Sequence, residues 1–267
     1  MIVVKVGGAA GIGYDTLCDD VQSLREQGEQ VVIVHGGSDE TTRLAEQLGH
    51  EPQFLTSPSG HTSRRTDAEM IEIFQTACCG RVNKRIVRQL QERGVNGIGL
   101  SGLDGGLWRG RRKKAIRAIE DGVTRVVRDD YTGTVDEVND GLVRMMLDAG
   151  LTPVLSPPGL SRDAEPINVD ADRAAARTAA ALGAETLVIL SNVPGLLREF
   201  PDESSLISEL ARTDLDTALE VAEGRMKKKV LAAQEAIEAD VPRVILADAR
   251  AEEPVARALR GEGTVIS

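Results

Sequence analysis

The segment Val31-Val-Ile-Val34, followed directly by His35-Gly36-Gly37, is the part of this 267-residue chain that best indicates its fold. Four successive apolar residues without alternation favour a strand buried on both faces, as in a parallel sheet between two layers of helices. Similar apolar runs recur at Ile2–Val6, Ile98–Leu100, Thr152–Leu155, Leu187–Leu190 and Arg243–Leu246. The sequence therefore predicts a mainly parallel central sheet.

Helical patterns fill the segments between these strands. They cover Tyr14–Gln27, Asp39–Leu48, Thr66–Arg93, Gly141–Ala149, Asp172–Leu182, Ala211–Ala222 and Met226–Ala239. Alternation of strands and helices predicts an α/β fold with helices on both faces of the sheet. The segment Trp108–Val138 departs from this alternation and is predicted to form an antiparallel hairpin over the edge of the sheet. A Pro/Gly-rich stretch from Pro157 to Pro166 suggests a single domain with two lobes, residues 1–165 and 166–267.

The composition limits the possible partners and the cellular location. A formal net charge of −10 argues against nonspecific nucleic-acid binding, which requires a basic face. The chain has no apolar run long enough to span a bilayer and no basic, apolar leader, so we expect a cytosolic protein without membrane contact. Cys18, Cys78 and Cys79 lack the spacing of a metal site and are expected to be reduced thiols.

Two glycine pairs follow the first two strands. Lys5 lies in an apolar strand just before Gly7-Gly8, and a buried lysine needs a charged partner. It is either a cation facing a phosphoryl group in transfer or a lysine on an edge strand. Gly36-Gly37 forms either a tight turn or an anion-binding cradle of backbone amides at a helix start. The chain contains neither a Walker A loop nor a Rossmann glycine motif.

Charged residues also cluster at predicted helix starts. Asp172 begins an Ala-rich helix, where it could be a simple capping acid. If two lysines flanked it, Asp172 would instead hold their ammonium groups toward a reacting phosphate. The run Lys227-Lys-Lys229 opposes the dipole of its helix, so an anion is expected there unless the run is a solvated face. Arg64-Arg65 suits a substrate carboxylate or is simply solvated.

With these motifs in order, the chain resembles the amino acid kinase family over essentially its whole length, and within it the acetylglutamate kinase branch. The motifs are VKVGG, VVIVHGG, RRTDAE, VNKRIV, GLSGLDGG, INVDADRAA, VILSNVPGL and GRMKKKV. The segments RGRRKK, RDDYTG and GRMKKKV are most similar to kinases that act on aminoadipate or glutamate attached to a LysW-type carrier protein. Ser38 and Asp170 depart from the acetylglutamate kinase pattern, which has Gly and Asn there.

The resemblance implies a three-layer αβα sandwich, a homodimer formed through the N-terminal lobe, and ATP-dependent phosphorylation of a side-chain carboxylate to give an acyl phosphate. Mg²⁺ would be bound through the ATP phosphates, with no protein metal site. The implied catalytic residues are Lys5, Lys229 and Asp172. The implied substrate-binding residues are Gly36, Gly37, Arg64 and Asn168. The implied nucleotide-binding residues are Gly7, Gly8, Ser191, Asn192, Gly195 and Lys227.

The basic run at residues 109–114 is assigned to a macromolecular partner. A small acylated amino acid does not need five cations at the mouth of its pocket, whereas an acidic carrier protein does. The predicted docking residues are Arg109, Arg111, Arg112, Lys113 and Lys114. The alternatives are a solvated hairpin, a kinase acting on free N-acetylglutamate, and a non-catalytic nucleotide-binding protein. The last would be expected to lack Lys5, Asp172 or Lys229, and all three are present.

Overall fold

A computed structural model describes residues 1–58, 60, 62–120, 123–222 and 224–267. Its strands are β1 (Ile2–Val6), β2 (Val31–His35), β3 (Phe54–Thr56), β4 (Thr62–Arg64), β5 (Gly97–Gly102), β6 (Trp108–Arg112), β7 (Ile116–Glu120), β8 (Val123–Val127), β9 (Gly133–Val138), β10 (Thr152–Ser161), β11 (Pro166–Ile167), β12 (Thr186–Ser191), β13 (Glu209–Leu210), β14 (Arg243–Asp248) and β15 (Thr264–Ile266). Its α-helices are α1 (Asp15–Glu26), α2 (Ser38–Gln47), α3 (Ala68–Gln75), α4 (Asn83–Glu92), α5 (Asp140–Asp148), α6 (Ala171–Leu182), α7 (Leu215–Val221), α8 (Gly224–Glu238) and α9 (Pro254–Leu259).

A large central sheet runs through the molecule, with eleven strands among the described residues. Its main path is β13-β15-β14-β12-β1-β2-β10-β6-β9, and β5 and β11 pair with β10. Pairing is parallel at the centre, whereas β14–β15, β10–β11 and β6–β9 are antiparallel. The predicted α/β class and the mainly parallel sheet are confirmed. The strand β1 lies between β2 and β12, so the sheet is continuous across the proposed lobe boundary after residue 165, which stays a prediction.

Helices cover both faces of this sheet because its central strands are apolar on both sides. Alternate residues of β1 point into different cores: Val3 packs with α5, α6 and α8 on one face, and Val4 packs with α1, α4 and α9 on the other. The unalternating apolar runs are thereby explained. None of the helices that the structure describes combines the length and apolar character needed to cross a membrane.

Three predicted segments differ in detail from the structure. The helix expected over Thr66–Arg93 begins at Ala68, with Asp67 as its N-cap, and contains a π-helical segment, Thr76–Val82. The helix expected over Ala211–Ala222 is a 3₁₀ turn, Arg212–Asp214, followed by α7. Within Trp108–Val138, β6 and β9 join the main sheet, whereas β7 and β8 form a second sheet in the order β4-β3-β7-β8. Residues 121 and 122 of that segment lie outside the described residues.

Candidate active site

The carboxyl ends of three neighbouring parallel strands meet at one edge of the sheet. Val6 at the end of β1 pairs with His35 of β2 and with Leu190 of β12. The two glycine pairs and the loop after Ser191 follow directly. The amino end of α6 reaches the same place, since Ala171 lies beside Gly36. This is the edge where open α/β sheets bind ligands.

Asp172 lies between two lysines that come from distant parts of the chain. Its carboxylate is 2.6 Å from Nζ of Lys5 on β1 and 3.0 Å from Nζ of Lys229 on α8. All three residues are at most 9% exposed. Asp170 serves as the N-cap of α6, accepting from the Asp172 and Arg173 amides, so Asp172 is not needed as a cap. The Asp172 carboxylate therefore pairs with the two ammonium groups and does not cap the helix.

The protonation of these groups follows from burial and charge. Burial acts to raise the pKa of Asp172, but the charges of Lys229 and Lys5 outweigh it and hold that pKa well below its ordinary range. Burial, helped by the Lys5 charge and opposed by Asp172, lowers the pKa of Lys229 to about 8. With both lysines protonated, the triad carries one excess positive charge in a buried setting. Such a setting favours the binding of one more anion.

The glycine pairs lie against each other. A Cβ on Gly8 would lie 2.4 Å from the backbone nitrogen of Gly37, so only glycine fits there. The Gly8 carbonyl accepts hydrogen bonds from the Asp39 amide and the Ser38 hydroxyl. Within the described chain, no backbone carbonyl accepts from the amides of Gly8 or Gly37. These two amides are therefore available to an anion at the amino end of α2.

His35 supports this cradle from inside the protein. It is fully buried, and burial lowers its pKa to about 4, so the imidazole is neutral at physiological pH. Asn83 donates from Nδ2 to Nε2 of His35 at 3.1 Å, which leaves Nδ1–H to donate to the Gly36 carbonyl at 2.7 Å. The carbonyl of the Gly36–Gly37 peptide is thereby held inward. Sequence reasoning assigned no role to Asn83, although its motif VNKRIV was recognised.

Of the predicted acceptor residues, Arg64 contacts the turn after β2, and Asn168 is connected to Arg64 through Thr66. Arg64, at the end of β4, donates from Nη2 to the Ser38 carbonyl at 3.1 Å and to the Thr42 hydroxyl at 2.7 Å. Asn168, which follows β11, donates from Nδ2 to the Thr66 hydroxyl at 2.9 Å. Both are partly buried. Arg64 thus borders the turn after β2, and both residues carry side chains of the types that bind carboxylates and amides.

The predicted nucleotide residues lie just after β1, at or after the end of β12, or at the start of α8. Gly7 donates its amide to the Leu190 carbonyl, which ties the first glycine pair to β12. Ser191 is buried at the end of β12, and Asn192 is exposed just after it. Gly195 is required by packing, because a Cβ there would lie 2.6 Å from Oγ1 of Thr264. Lys227 lies in the first turn of α8, two residues before Lys229.

The predicted docking residues do not form one uniform patch. Arg109 and Lys113 are exposed but lie outside a cleft of about 510 Å³, which three of the predicted five residues line. Its cationic lining is Arg111, Arg112, Lys114, Arg128 and Arg162, and Asp163 and Glu165 contribute carboxylates. We call this the basic cleft. Sequence reasoning missed Arg128 and Arg162, because only folding brings them beside β6.

Comparisons with known proteins agree with this architecture. A model of the amino acid kinase family matches residues 1–248. The chain is 55% identical to a [LysW]-aminoadipate kinase of Deinococcus radiodurans, over all of this chain and 91% of that protein. It is 54% identical to a [LysW]-aminoadipate kinase of Thermus thermophilus over the whole of both chains. An N-acetylglutamate synthase structure from Neisseria gonorrhoeae superposes with a TM-score of 0.80 at 26% identity, over all of this chain and 59% of that one. The chain belongs to the amino acid kinase family.

Proposed function

We propose that this protein transfers the γ-phosphoryl group of ATP to the side-chain carboxylate of aminoadipate or glutamate attached to a LysW-type carrier protein, as a step in lysine or arginine biosynthesis. The observation that carries the proposal is the buried Lys5–Asp172–Lys229 triad beside the open amides of Gly8 and Gly37. The family membership, and relatives named as [LysW]-aminoadipate kinases that share more than half of this sequence, support the substrate class.

The chemistry needs little beyond positioning and charge. A carboxylate oxygen of the acceptor attacks the γ-phosphorus, and the bond from that phosphorus to the oxygen bridging it to the β-phosphorus breaks. The products are an acyl phosphate and ADP, and no proton is transferred. Lys5 and Lys229 stabilise the negative charge on the migrating group, and Asp172 keeps both ammonium groups directed at it.

The amides of Gly8 and Gly37 hold the phosphoryl oxygens in this proposal. Gly36, Arg64 and Asn168 hold the acceptor. The loop through Ser191, Asn192 and Gly195 lies beside the nucleotide, together with Gly7 and Lys227. Mg²⁺ would arrive on the ATP phosphates. The described residues contain no group of three or more His, Cys, Asp or Glu side chains placed to hold a metal ion.

The basic cleft is proposed to receive the acidic carrier. Arg111 and Lys114 are exposed there, and Glu165 directly precedes β11, the strand that leads to Asn168. Arg112 also lines the cleft, but it pairs with Glu165 at 2.8 Å and covers the Tyr131 ring. We therefore assign direct docking to Lys114 and Arg128, and to Arg111 and Arg162, which stay exposed although they lie 2.7 and 3.8 Å from Asp136. Arg109 and Lys113 are secondary contacts.

The decisive assay measures ATP turnover with three acceptors side by side: carrier bearing aminoadipate, carrier bearing glutamate, and free N-acetylglutamate. We expect turnover with one or both carrier-bound substrates and at most weak turnover of the free compound. Turnover of free N-acetylglutamate alone would replace this proposal with the acetylglutamate kinase activity. The proposed homodimer is tested separately by sedimentation velocity.

A further inference from the structure

We propose that Asp130 is a positioning residue for the acceptor end of the site, acting through Thr66 and Asn168. Asp130 lies in the turn between β8 and β9, in the segment RDDYTG. The inference rests on the proposed function, since that function gives Asn168 its role in acceptor binding. No contact of Asp130 with a substrate is required.

Asp130 is a buried carboxylate whose two oxygens serve different segments. It is 1% exposed. Its Oδ2 accepts a hydrogen bond from the Thr66 amide at 2.8 Å, and its Oδ1 accepts one from the Thr132 amide at 2.7 Å. Thr66 lies between β4 and α3, far from Thr132 in the chain. A charged acceptor holding two backbone amides in a buried place fixes both segments firmly.

Asn168 is held by the residues that Asp130 fixes. Its backbone amide donates to the Tyr131 carbonyl at 2.8 Å, and its carbonyl accepts from the Gly133 amide at 2.9 Å. Its side-chain Nδ2 donates to the Thr66 hydroxyl, which itself donates to the Arg64 carbonyl at 3.2 Å. The hydroxyl proton is thus committed, so the orientation of the Asn168 amide is set. Within the described residues its Oδ1 accepts no hydrogen bond and Nδ2 donates only the one to Thr66, so in the proposed function the remaining capacity of the amide serves the acceptor.

The turn is also held from the side of the basic cleft. The Arg112 guanidinium lies 3.7 Å from the Tyr131 ring centroid, and its Nε donates to the Asp130 carbonyl at 2.9 Å. Arg112 lines the basic cleft. The turn at 129–132 therefore lies between the cleft and Asn168. Arg112 is part of the same support and not a free docking cation.

The kinetic test compares Asp130→Ala and Asp130→Asn with the matched control Asp129→Asn. Asp129 is the preceding acid of the same turn, is exposed, and forms a surface ion pair with Arg65 at 2.8 Å. For Asp130→Ala we expect KM for the carrier-bound acceptor to rise roughly tenfold or more, the size of losing a hydrogen bond to a charged group, while KM for ATP stays within about twofold. Asp130→Asn keeps one acceptor oxygen and should give an intermediate KM.

Equal rises in both KM values, or unchanged acceptor kinetics with only a lower melting temperature, would show that Asp130 is merely structural. Equal effects of Asp129→Asn and Asp130→Asn would also overturn the inference. A second measurement does not depend on the substrate: amide hydrogen exchange at Gly133 and Asn168 should accelerate in Asp130→Asn, but not in Asp129→Asn. Unchanged exchange sinks the inference, whereas absent turnover of all carrier-bound acceptors by the wild-type protein sinks the proposed function.

Discussion

At the scale of single residues, the two lysines around Asp172 are not equivalent. Lys5 is fixed in the central strand β1, whereas Lys229 is carried by α8, in whose first turn the partly buried Met226 packs against the core. Each lysine supplies one ammonium group to the triad, and Asp172 supplies the one carboxylate. A phosphoryl group bound there would therefore meet charge from two separately supported elements. Loss of either lysine should impair the transfer more than the fold.

Lys229→Ala is expected to lower kcat by at least about a hundredfold, the typical loss when one group that stabilises transition-state charge is removed. The fold should be little affected, because Lys5 still pairs with Asp172 at 2.6 Å. Steady-state kinetics and a thermal melt measure the two effects. A variant that keeps the wild-type kcat would contradict the assignment of Lys229.

The pH dependence of activity should report the ionisation of Lys229. Its pKa is lowered to about 8, so the ammonium form is complete below that pH and is lost as pH rises through it. We expect kcat/KM for ATP to fall on the alkaline side with an apparent pKa near this value. In the pH profile of kcat, the corresponding fall should occur at higher pH, because the phosphates of bound ATP favour the protonated form of Lys229.

Lys229→Arg is the control for this profile. Arginine stays protonated across this pH range, so any activity that the variant retains should no longer fall at alkaline pH. Persistence of the same limb in Lys229→Arg would show that another group titrates.

At the scale of elements, the turns after β1 and β2 leave no room for a side chain at Gly8 or Gly37. A Cβ on Gly37 would lie 2.6 Å from Sγ of Cys78, in the π-helical segment, whereas the neighbours of a Cβ on Gly8 are backbone atoms. We expect Gly37→Ala to cost about 1–3 kcal/mol of unfolding free energy, and Cys78→Ala to restore part of this loss in the double variant. Urea unfolding of the single and double variants measures the coupling.

Gly8→Ala is the control for this comparison of single and double variants. Removing the Cys78 sulfur should not improve its stability, because the conflict at Gly8 is with Gly36 and Gly37 backbone atoms. If Cys78→Ala rescued both glycine variants equally, the effect would be general and not the relief of one contact.

Sequence patterns predicted the long elements well because burial on two faces leaves a continuous apolar run. They missed β3, β4, β11, β13 and β15, each two or three residues long and defined by its partner strand. The segment from Thr66 to Arg93 keeps helical periodicity throughout, so nothing local indicated its π-helical part. That part is where Cys78 packs beneath Gly37, which is a contact between distant segments.

At the scale of the whole molecule, the acidic surface and the basic cleft act in opposite directions on an acidic partner. The chain carries a net charge of −10, yet five cations line one cleft. We expect kcat/KM for carrier-bound substrate to fall steeply with added salt, because exposed charges are screened within about 10 Å at 0.1 M ionic strength. KM for ATP should change much less, as its proposed site includes buried lysines.

Charge reversal tests the same surface. Arg111→Glu with Lys114→Glu should weaken turnover of the carrier-bound substrate and reduce its salt dependence, while Arg109→Glu should have a smaller effect. Equal loss of activity on a free acylated amino acid would contradict docking at the cleft.

The meeting of Lys5, Asp172 and Lys229 could be anticipated from sequence, since parallel strand ends and helix starts share one edge of such a sheet. Their catalytic roles stay predictions. The basic cleft could not be anticipated as a whole. Arg128 follows β8 and Arg162 follows β10, and only the pairing of β6 with β9 and β10 places them near Arg111. The hydrogen bonds that connect Asp130 to Asn168 likewise could not be anticipated, because they join the turn at 129–132 to two segments that are remote in sequence.

The position of β1 has a consequence for synthesis on the ribosome. This first strand pairs with β2 early, but its other edge is filled only by Thr186–Ser191. Until that segment emerges, a nascent chain exposes an apolar, unpaired strand edge of the kind that promotes self-association. Truncated chains that end before residue 186 should therefore need chaperones, and completion of the sheet should be a late event in folding.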